Sequence, residues 1–565
     1  MRKSLGILFL SFLISSPAFS DVNYVPSPAL KDFVGTPVGP VGDPTSVQLP
    51  FITWGGDLAT ILANGSQKAT SAGIFADLGL SFKLVREDVF SKQVESYLSG
   101  QSPYLRGTLA MLNMAAPLTE ADPRTKMKVI YQLTWSAGGD AMVVKGGIRT
   151  PRDLKGKTIA LQAYGPHVDY LAKVLADAGL SLKDVKLRWT KDLTGTDQTP
   201  MAALHASDID AAMVIIPDAL ALSSQGAVGT GAEQSVKGAR ILLSTKTASR
   251  VIADCYAVRS DYYDAHPDKV KKFVQGLIQA QGALAALMKN KESNEAKAFL
   301  RSAAQLLLDS PDAANDAGGM YGDAEFISAS ANRKFFQDPN FPRSFRALNG
   351  EVQTAFLAMG LIAHKAALES VAWKYSEMGT GAVDAPEARR FDSDKVAQVV
   401  AQKQQKGSLE AGELFSFEIL FGPNENNFSE AQYKEAFDKV IQLAATYGGA
   451  LITIEGHSDP MGYLRKKKDG ESQLVLSRIK QSAKNLSLSR ANAVKDSLVK
   501  YAKKHDTPLD DSQLALVGMG IDKPKTGLCD GDPCAPKTEK DWKSNMRVEF
   551  RILQVEAEES VFKPL

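Results

Sequence analysis

From Val47 to about Ala382, short apolar runs alternate with amphipathic helical stretches, and this alternation limits the fold more than any other feature of the chain. The runs at 49–54, 158–162 and 211–216 are bounded by Gly, Pro or Asp and read as strands. Between them, 169–178 places Leu171, Val174 and Leu175 on one helical face, and 268–287 reads as a long amphipathic helix entered through His266-Pro267. Strands alternating with helices predict an α/β fold with a largely parallel sheet.

The pattern breaks between about Asp384 and Gly412, where the chain turns polar and charged through Gln402-Lys403-Gln404-Gln405-Lys406-Gly407-Ser408. A linker, partly helical, is expected over 385–412. Strand-like runs then resume at 415–421, 450–455, 514–518 and 546–553, with helical stretches at 429–447 and 487–504. This order predicts a separate α+β domain over 413–555, followed by a tail at 556–565. A chain of 565 residues exceeds what one core usually organises, so two or more domains are the natural expectation.

The first twenty residues have the order of an export signal: Arg2 and Lys3, an apolar run over 5–14, then Pro17-Ala18-Phe19-Ser20. Cleavage after Ser20 would leave a body at 21–384 for the first domain. No cysteine follows the apolar run, so no lipid anchor is expected, and the mature protein is placed in the periplasm. Lys and Arg exceed Asp and Glu by two, and loss of Arg2 and Lys3 brings that excess to zero, so no global field favours nucleic acid. In an oxidising compartment Cys529 and Cys534, five apart in a Gly/Pro-rich loop, read as a small disulfide. Cys255 sits in an apolar strand-like run and reads as a buried inert thiol. Two thiols with no nearby histidine make a poor zinc site, so neither metal nor cofactor is expected.

The C-terminal region carries the most specific pattern. Glu455-Gly456-His457-Ser458-Asp459-Pro460, then Leu486-Ser487-Leu488-Ser489-Arg490-Ala491, then Gly518-Met519-Gly520 and Asn545-Met546-Arg547-Val548-Glu549 follow one another in order. Together they resemble the OmpA-like peptidoglycan-binding domain. The resemblance implies that Asp459 and Arg490 hold the two charged ends of a diaminopimelate residue in the wall peptide. The chemistry agrees: a carboxylate suits the ammonium, and a guanidinium grips a carboxylate bidentately. This chain departs from the family in a longer, basic connection. Residues 463–484 hold seven basic and two acidic residues, and Asn485 stands immediately before Leu486. That connection is expected to be a solvated loop.

In the first domain, Thr150-Pro151-Arg152-Asp153-Leu154-Lys155-Gly156-Lys157-Thr158-Ile159-Ala160 and Ala211-Ala212-Met213-Val214-Ile215-Ile216-Pro217-Asp218 resemble the nitrate/sulfonate/taurine-type solute-binding proteins of ABC importers. The resemblance covers about 47–300 and implies two α/β lobes that close around a small polar solute and then engage a permease. Such folds bind where helix starts and loops after strands converge. The candidate loops contribute Trp54, Gly55 and Asp57; Ser136 and Asp140; Gln162, Tyr164 and His167; and Thr196 and Asp197, with Asp218 after a later strand. Trp54 and Tyr164 offer flat apolar walls, and glycine lets backbone approach a ligand. Each aspartate reads equally as a helix cap or turn residue. As ligands, the four together hint at a solute that carries an amine.

Two other functions fit less well. The same family resembles thiamine-pyrimidine synthases, but those enzymes are expected to carry a cysteine-rich motif, and this region has Cys255 alone. A P-loop at Gly156-Lys157-Thr158 lacks its first glycine, because Pro151 stands there. An envelope scaffold, in which the first domain grips a partner protein, is the remaining alternative. The expected function is therefore a non-enzymatic, wall-tethered solute receptor.

Overall fold

The structure is a computed structural model that describes residues 22–42, 47–232, 234–378, 391–410, 412–421, 430–507 and 509–554. The export signal at 1–20 and the tail at 556–565 lie outside the described residues. Among the described residues, no helix is long and apolar enough to cross a membrane.

Two lobes form the first domain. In the first, strand Ala253–Arg259 lies between Tyr104–Thr108 and Met127–Ser136 and runs antiparallel to both. A parallel pair, Val47–Phe51 with Phe82–Arg86, stands beside them. The largely parallel sheet expected from the alternation therefore needs correction here. Ala253–Arg259 re-enters from the other lobe and so runs against its neighbours. In the second lobe Lys186–Thr190, Thr158–Gln162 and Ala211–Ile215 are parallel, as helix crossovers require, while Asp140–Val144 runs antiparallel to Ala211–Ile215 and to Arg240–Ser244.

Helix Pro267–Met288 anchors the first lobe. Pro267 starts it where no intrahelical N–H is needed, and its buried stripe includes Val270, Phe273, Val274, Leu277 and Ile278. Phe273 sits at the centre of an aromatic cluster, with ring centroids 4.8 Å from Tyr104, 5.2 Å from Tyr256 and 5.5 Å from Phe75 and Phe82. Truncating such a ring to alanine typically costs about 3–5 kcal/mol.

The chain crosses between lobes at 137–139 and again at 245–252. An N-terminal strap adds a third link. The Val25 amide donates to Trp189 in the second lobe, and the Gly39 amide donates to Leu98 in the first, each at 2.9 Å.

The C-terminal domain has a sheet in the order Glu413–Leu420, Arg547–Leu553, Leu451–His457, Leu514–Gly520. Alternation divides its faces: Ile452 and Ile454 join the core beneath helices Glu430–Thr446 and Gln473–Lys504, while Leu451 faces the opposite way. On that opposite face lies helix Ser393–Gln405. Phe391, Val396, Val400 and Leu409 cluster there with Leu451, Ala515, Val517, Met519 and Leu553. The described part of the expected linker, residues 391–410, is thus a layer of this domain. Its sparse apolar residues fall at helical spacing and cover the sheet.

The basic connection is helical and not a loop. It comprises Met461–Lys468 and the early turns of Gln473–Lys504, with Leu476 clustered against Tyr463 and Ile521. The domain also docks onto the hinge: the Arg250 amide donates to Thr446 at 3.2 Å, and the Gly449 amide donates to Thr247 at 3.1 Å.

Candidate functional site

The two crossings meet in a polar network. Ser136 ends one strand and Asp140 starts the next, so the three-residue connection at 137–139 brings both side chains together. Ser136 Oγ donates to Asp140 Oδ2 at 2.6 Å and lies 2.8 Å from Thr245 Oγ1 on the return crossing. The amides of Gly138 and Asp140 donate to the same Thr245 oxygen, each at 3.1 Å. His167, at the start of helix Val168–Asp177, places Nε2 2.7 Å from Asp140 Oδ1. Thr245 escaped the sequence reading, because a threonine ending an apolar strand carries no distinguishing signal.

Trp54 lies against this turn. A Cβ on Gly139 would come within 2.3 Å of the indole, so glycine permits the contact. The indole N–H donates to Thr134 at 3.2 Å, Thr134 donates to Asp254 at 3.0 Å, and Asp254 pairs with Arg106 at 2.7 Å. Arg106 also pairs with Asp57 at 2.9 Å, and Arg106 and Asp57 are both fully buried. The expectation that Asp57 contacts solute is therefore corrected: it belongs to a buried ion triad beneath the site. Gly55 is likewise spent on protein, since a Cβ there would meet the Met320 carbonyl at 1.9 Å.

The other candidates divide. Asp218 is half-buried and accepts from Thr194 at 3.3 Å, while its Oδ2 is buried with no hydrogen-bond partner. Gln162 ends its strand with a long 3.5 Å contact to the Lys191 carbonyl. Tyr164 has a left-handed backbone, φ 60°, and its hydroxyl donates to Pro28 of the strap at 2.9 Å. Its ring stands 5.7 Å from Phe33, so the strap covers a wall expected to face solute. Thr196 and Asp197 are exposed on a loop and bond locally, Thr196 to Asp192 at 2.8 Å and Asp197 to Gln198 at 3.2 Å. The fold brings Trp54, Ser136, Asp140 and His167 together, and Asp218 lies in the first turn of helix Ile216–Leu222, after the strand that pairs with Asp140.

Negative charge accumulates around the hinge. Burial pushes Asp323 up to about 6, and nearby Asp140 adds to the effect. Burial also pushes Asp169 up to about 7, against its backbone hydrogen bonds and Arg343. Asp218 and Asp254 are raised by burial as well. Asp323 sits on the hinge itself, where a Cβ on Gly138 would approach its Oδ1 to 2.8 Å. Neither Asp169 nor Asp323 stood out in the sequence, where both look like ordinary helix-end residues.

A second site lies in the C-terminal domain. Asp459 follows strand Leu451–His457, accepts from the Met461 amide at 3.0 Å, and keeps Oδ1 buried without a partner. Burial raises its carboxyl. A cavity of about 490 Å³ opens before it, lined also by Met461, Arg465, Lys537, Thr538 and Trp542. Arg490 is not part of that lining. It is 7% exposed on helix Gln473–Lys504, with its guanidinium 4.8 Å from the Phe421 ring centre. Among the described residues no carboxylate lies within ion-pair distance of it, and burial depresses its pKa.

Glu455, His457 and Glu549 converge closely enough to suggest a metal. Arg551 already bonds Glu455 at 3.0 Å and Glu549 at 2.8 Å, while burial and then Arg547 push His457 down to about 2. Guanidinium cations therefore take the place a metal ion would occupy. Cys529 and Cys534 form a disulfide, and Cys255 is buried with its thiol pushed up by burial.

Comparison with known proteins covers the first domain. Residues 65–293 match the family described as NMT1/THI5 like, a segment that runs through both crossings. The chain is 30% identical over 169 residues to the taurine-binding periplasmic protein of Escherichia coli (strain K12), which amounts to 30% of this chain and 48% of that protein. It thus spans about half the length of the curated relative it matches. Among solved structures, the alkanesulfonate-binding protein SsuA from Xanthomonas axonopodis pv. citri bound to MOPS is 16% identical, with 59% of this chain and 100% of that one covered at TM-score 0.39. The periplasmic aliphatic sulphonate binding protein SsuA from Escherichia coli is 14% identical, with 59% and 95% covered at TM-score 0.40. The periplasmic nitrate-binding protein NrtA from Synechocystis PCC 6803 is 14% identical, with 48% and 71% covered at TM-score 0.33.

Proposed function

We propose that this protein is the solute-binding component of an ABC-type importer, exported to the periplasm and held at the cell wall by its C-terminal domain. The observation that carries the reading is the family match over 65–293, which spans both lobes and both hinge crossings. Two lobes joined by short crossings exchange between open and closed forms. A solute that contacts both lobes favours closure, which a permease then reads. Nothing in this cycle requires catalysis.

The wall tether rests on Asp459 and Arg490, which the resemblance assigns to the ends of a diaminopimelate residue. A buried guanidinium without a carboxylate partner suits an incoming carboxylate, and Asp459, beside Trp542, lines a cavity that an ammonium can enter. Tethering raises the local concentration of receptor near its transporter. The alternative reading, an envelope scaffold, draws support from the bonds of Thr247 and Arg250 to the C-terminal domain, which tie the hinge to a second body.

Thermal unfolding of the full chain with and without taurine, alkanesulfonates, nitrate and simple amines tests the solute reading. Saturable stabilisation by one class supports it, and a flat response across all of them shifts the weight to the scaffold. Co-sedimentation with purified peptidoglycan tests the tether.

A further inference from the structure

The hinge network holds more carboxylate than its cations neutralise. The Ala137 amide donates to the Asp323 carbonyl and the Ile216 amide to that of Gly139, each at 2.8 Å, so Asp323 and helix Ile216–Leu222, which carries Asp218, both abut the turn that leads to Asp140. Of the nearby cations, Arg106 is engaged between Asp57 and Asp254, and Arg343 is bonded to Glu351 at 2.8 Å. Lys246 acts on Asp323. Asp140 is already bonded through both carboxylate oxygens, to Ser136 and to His167.

Unpartnered atoms occur in the same place. His167 is fully buried, spends Nε2 on Asp140, and has no partner at Nδ1. Asp218 Oδ2, on the helix that follows the strand paired with Asp140, is also without a partner. Leaving such groups unpaired costs free energy that a ligand can recover. Asp218 and Asp323 are both partly exposed, so an incoming group can reach them, and the partly exposed indole of Trp54 stands against the same turn. Carboxylates beside an aromatic face recognise an organic cation.

We infer that the solute carries an ammonium group, and that Asp218 and Asp323 receive it beside the turn at Gly138 and Gly139 against which Trp54 packs. This rests on the solute-binding reading above and narrows it to a chemical class. A bare anion such as nitrate would meet like charge at this point. Any anionic part of the solute must lie away from the hinge carboxylates.

The test uses the full chain and pairs of solutes in which hydroxyl replaces ammonium: taurine with isethionate, and putrescine with butane-1,4-diol. Thermal unfolding and calorimetric titration are run on each pair, on nitrate, and on Asp218→Asn and Asp323→Asn. The expected result is a rise of roughly 2–4 °C or more with an amine at large excess over its Kd, and none with its hydroxyl counterpart. Each variant, compared with its own unliganded melting temperature, should weaken amine binding at least tenfold. Equal stabilisation by amine and hydroxyl members, or by nitrate, overturns the ammonium assignment and leaves solute binding standing. A flat response to every solute overturns both.

Discussion

The phenol of Tyr447 donates a 2.7 Å hydrogen bond to Asp177, joining the turn after the C-terminal domain's helix Glu430–Thr446 to the end of helix Val168–Asp177 in the second lobe. Two residues on, Gly449 lies so close to the hinge that a Cβ would come within 1.9 Å of the Lys246 carbonyl. The domain therefore grips both a lobe and the crossing that returns from it.

Substitution at this contact should separate the two bodies. Tyr447→Phe is expected to cost about 1.5–3 kcal/mol, the worth of a hydrogen bond to a charged acceptor. Gly449→Val forces backbone apart and should split denaturant unfolding into two transitions, read by fluorescence against urea. A single transition with unchanged midpoint in Gly449→Val would show that the grip contributes nothing.

Arg106→Leu should be among the most damaging single changes in the first domain. It strands Asp57 and Asp254, which are buried and held by that guanidinium. Removing one partner of a buried ion group typically costs about 3–5 kcal/mol. Acid should recover part of the loss, since Asp57 is already pushed up to about 6 by burial and its neighbouring Asp254. Urea titrations of both proteins at pH 5 and pH 8 measure this, and a deficit that does not shrink at pH 5 contradicts it.

Asp169 sets a pH dependence whose sign is unusual for a carboxylate. Its folded value is pushed up to about 7 by burial, from an ordinary value of 3.8 in the unfolded chain. Between those values the folded state keeps a proton that the unfolded state releases. The stability linked to Asp169 is thus fully present below about pH 4 and is lost as pH rises through about 7. Asp169→Asn should remove this loss and raise stability at pH 8 by up to about 4 kcal/mol relative to the parent. Melting curves from pH 5 to pH 8 report it, and parallel pH profiles for the two proteins would refute it.

Arg490→Met should separate folding from wall binding. The guanidinium is buried beside Phe421 without a carboxylate partner, so an apolar replacement of similar length should change stability by no more than about 1 kcal/mol. Retention on peptidoglycan should fall at least tenfold, and Asp459→Asn should act the same way from the other end of the ligand. Undiminished co-sedimentation of both variants would remove this pair from the site.

Several parts of the molecule were legible before any coordinates. The strand at 158–162 and the helix around Leu171, Val174 and Leu175 follow from spacing alone, because a half-buried element must repeat its apolar residues at its own period. Ser136 and Asp140 were also within reach, since a turn of that length between two strands leaves their side chains few places to go. Asp57 was misread for the opposite reason. Its partner Arg106 lies 49 positions away, and no local pattern distinguishes a carboxylate that meets a guanidinium from one that meets water or ligand.

What the order of residues decided is the succession of strands and helices and the chemical types available at each loop, both of which depend on neighbours a few positions apart. What the tertiary structure decided is which of those groups are left over. Arg106 is consumed by two aspartates, Tyr164 by the strap, and residues 391–410 by an open sheet face, while Asp218, His167 and Arg490 retain buried atoms without partners. Charge neutralisation and burial are long-range properties, set only when distant segments meet, and the groups they leave unsatisfied are the ones available for a ligand.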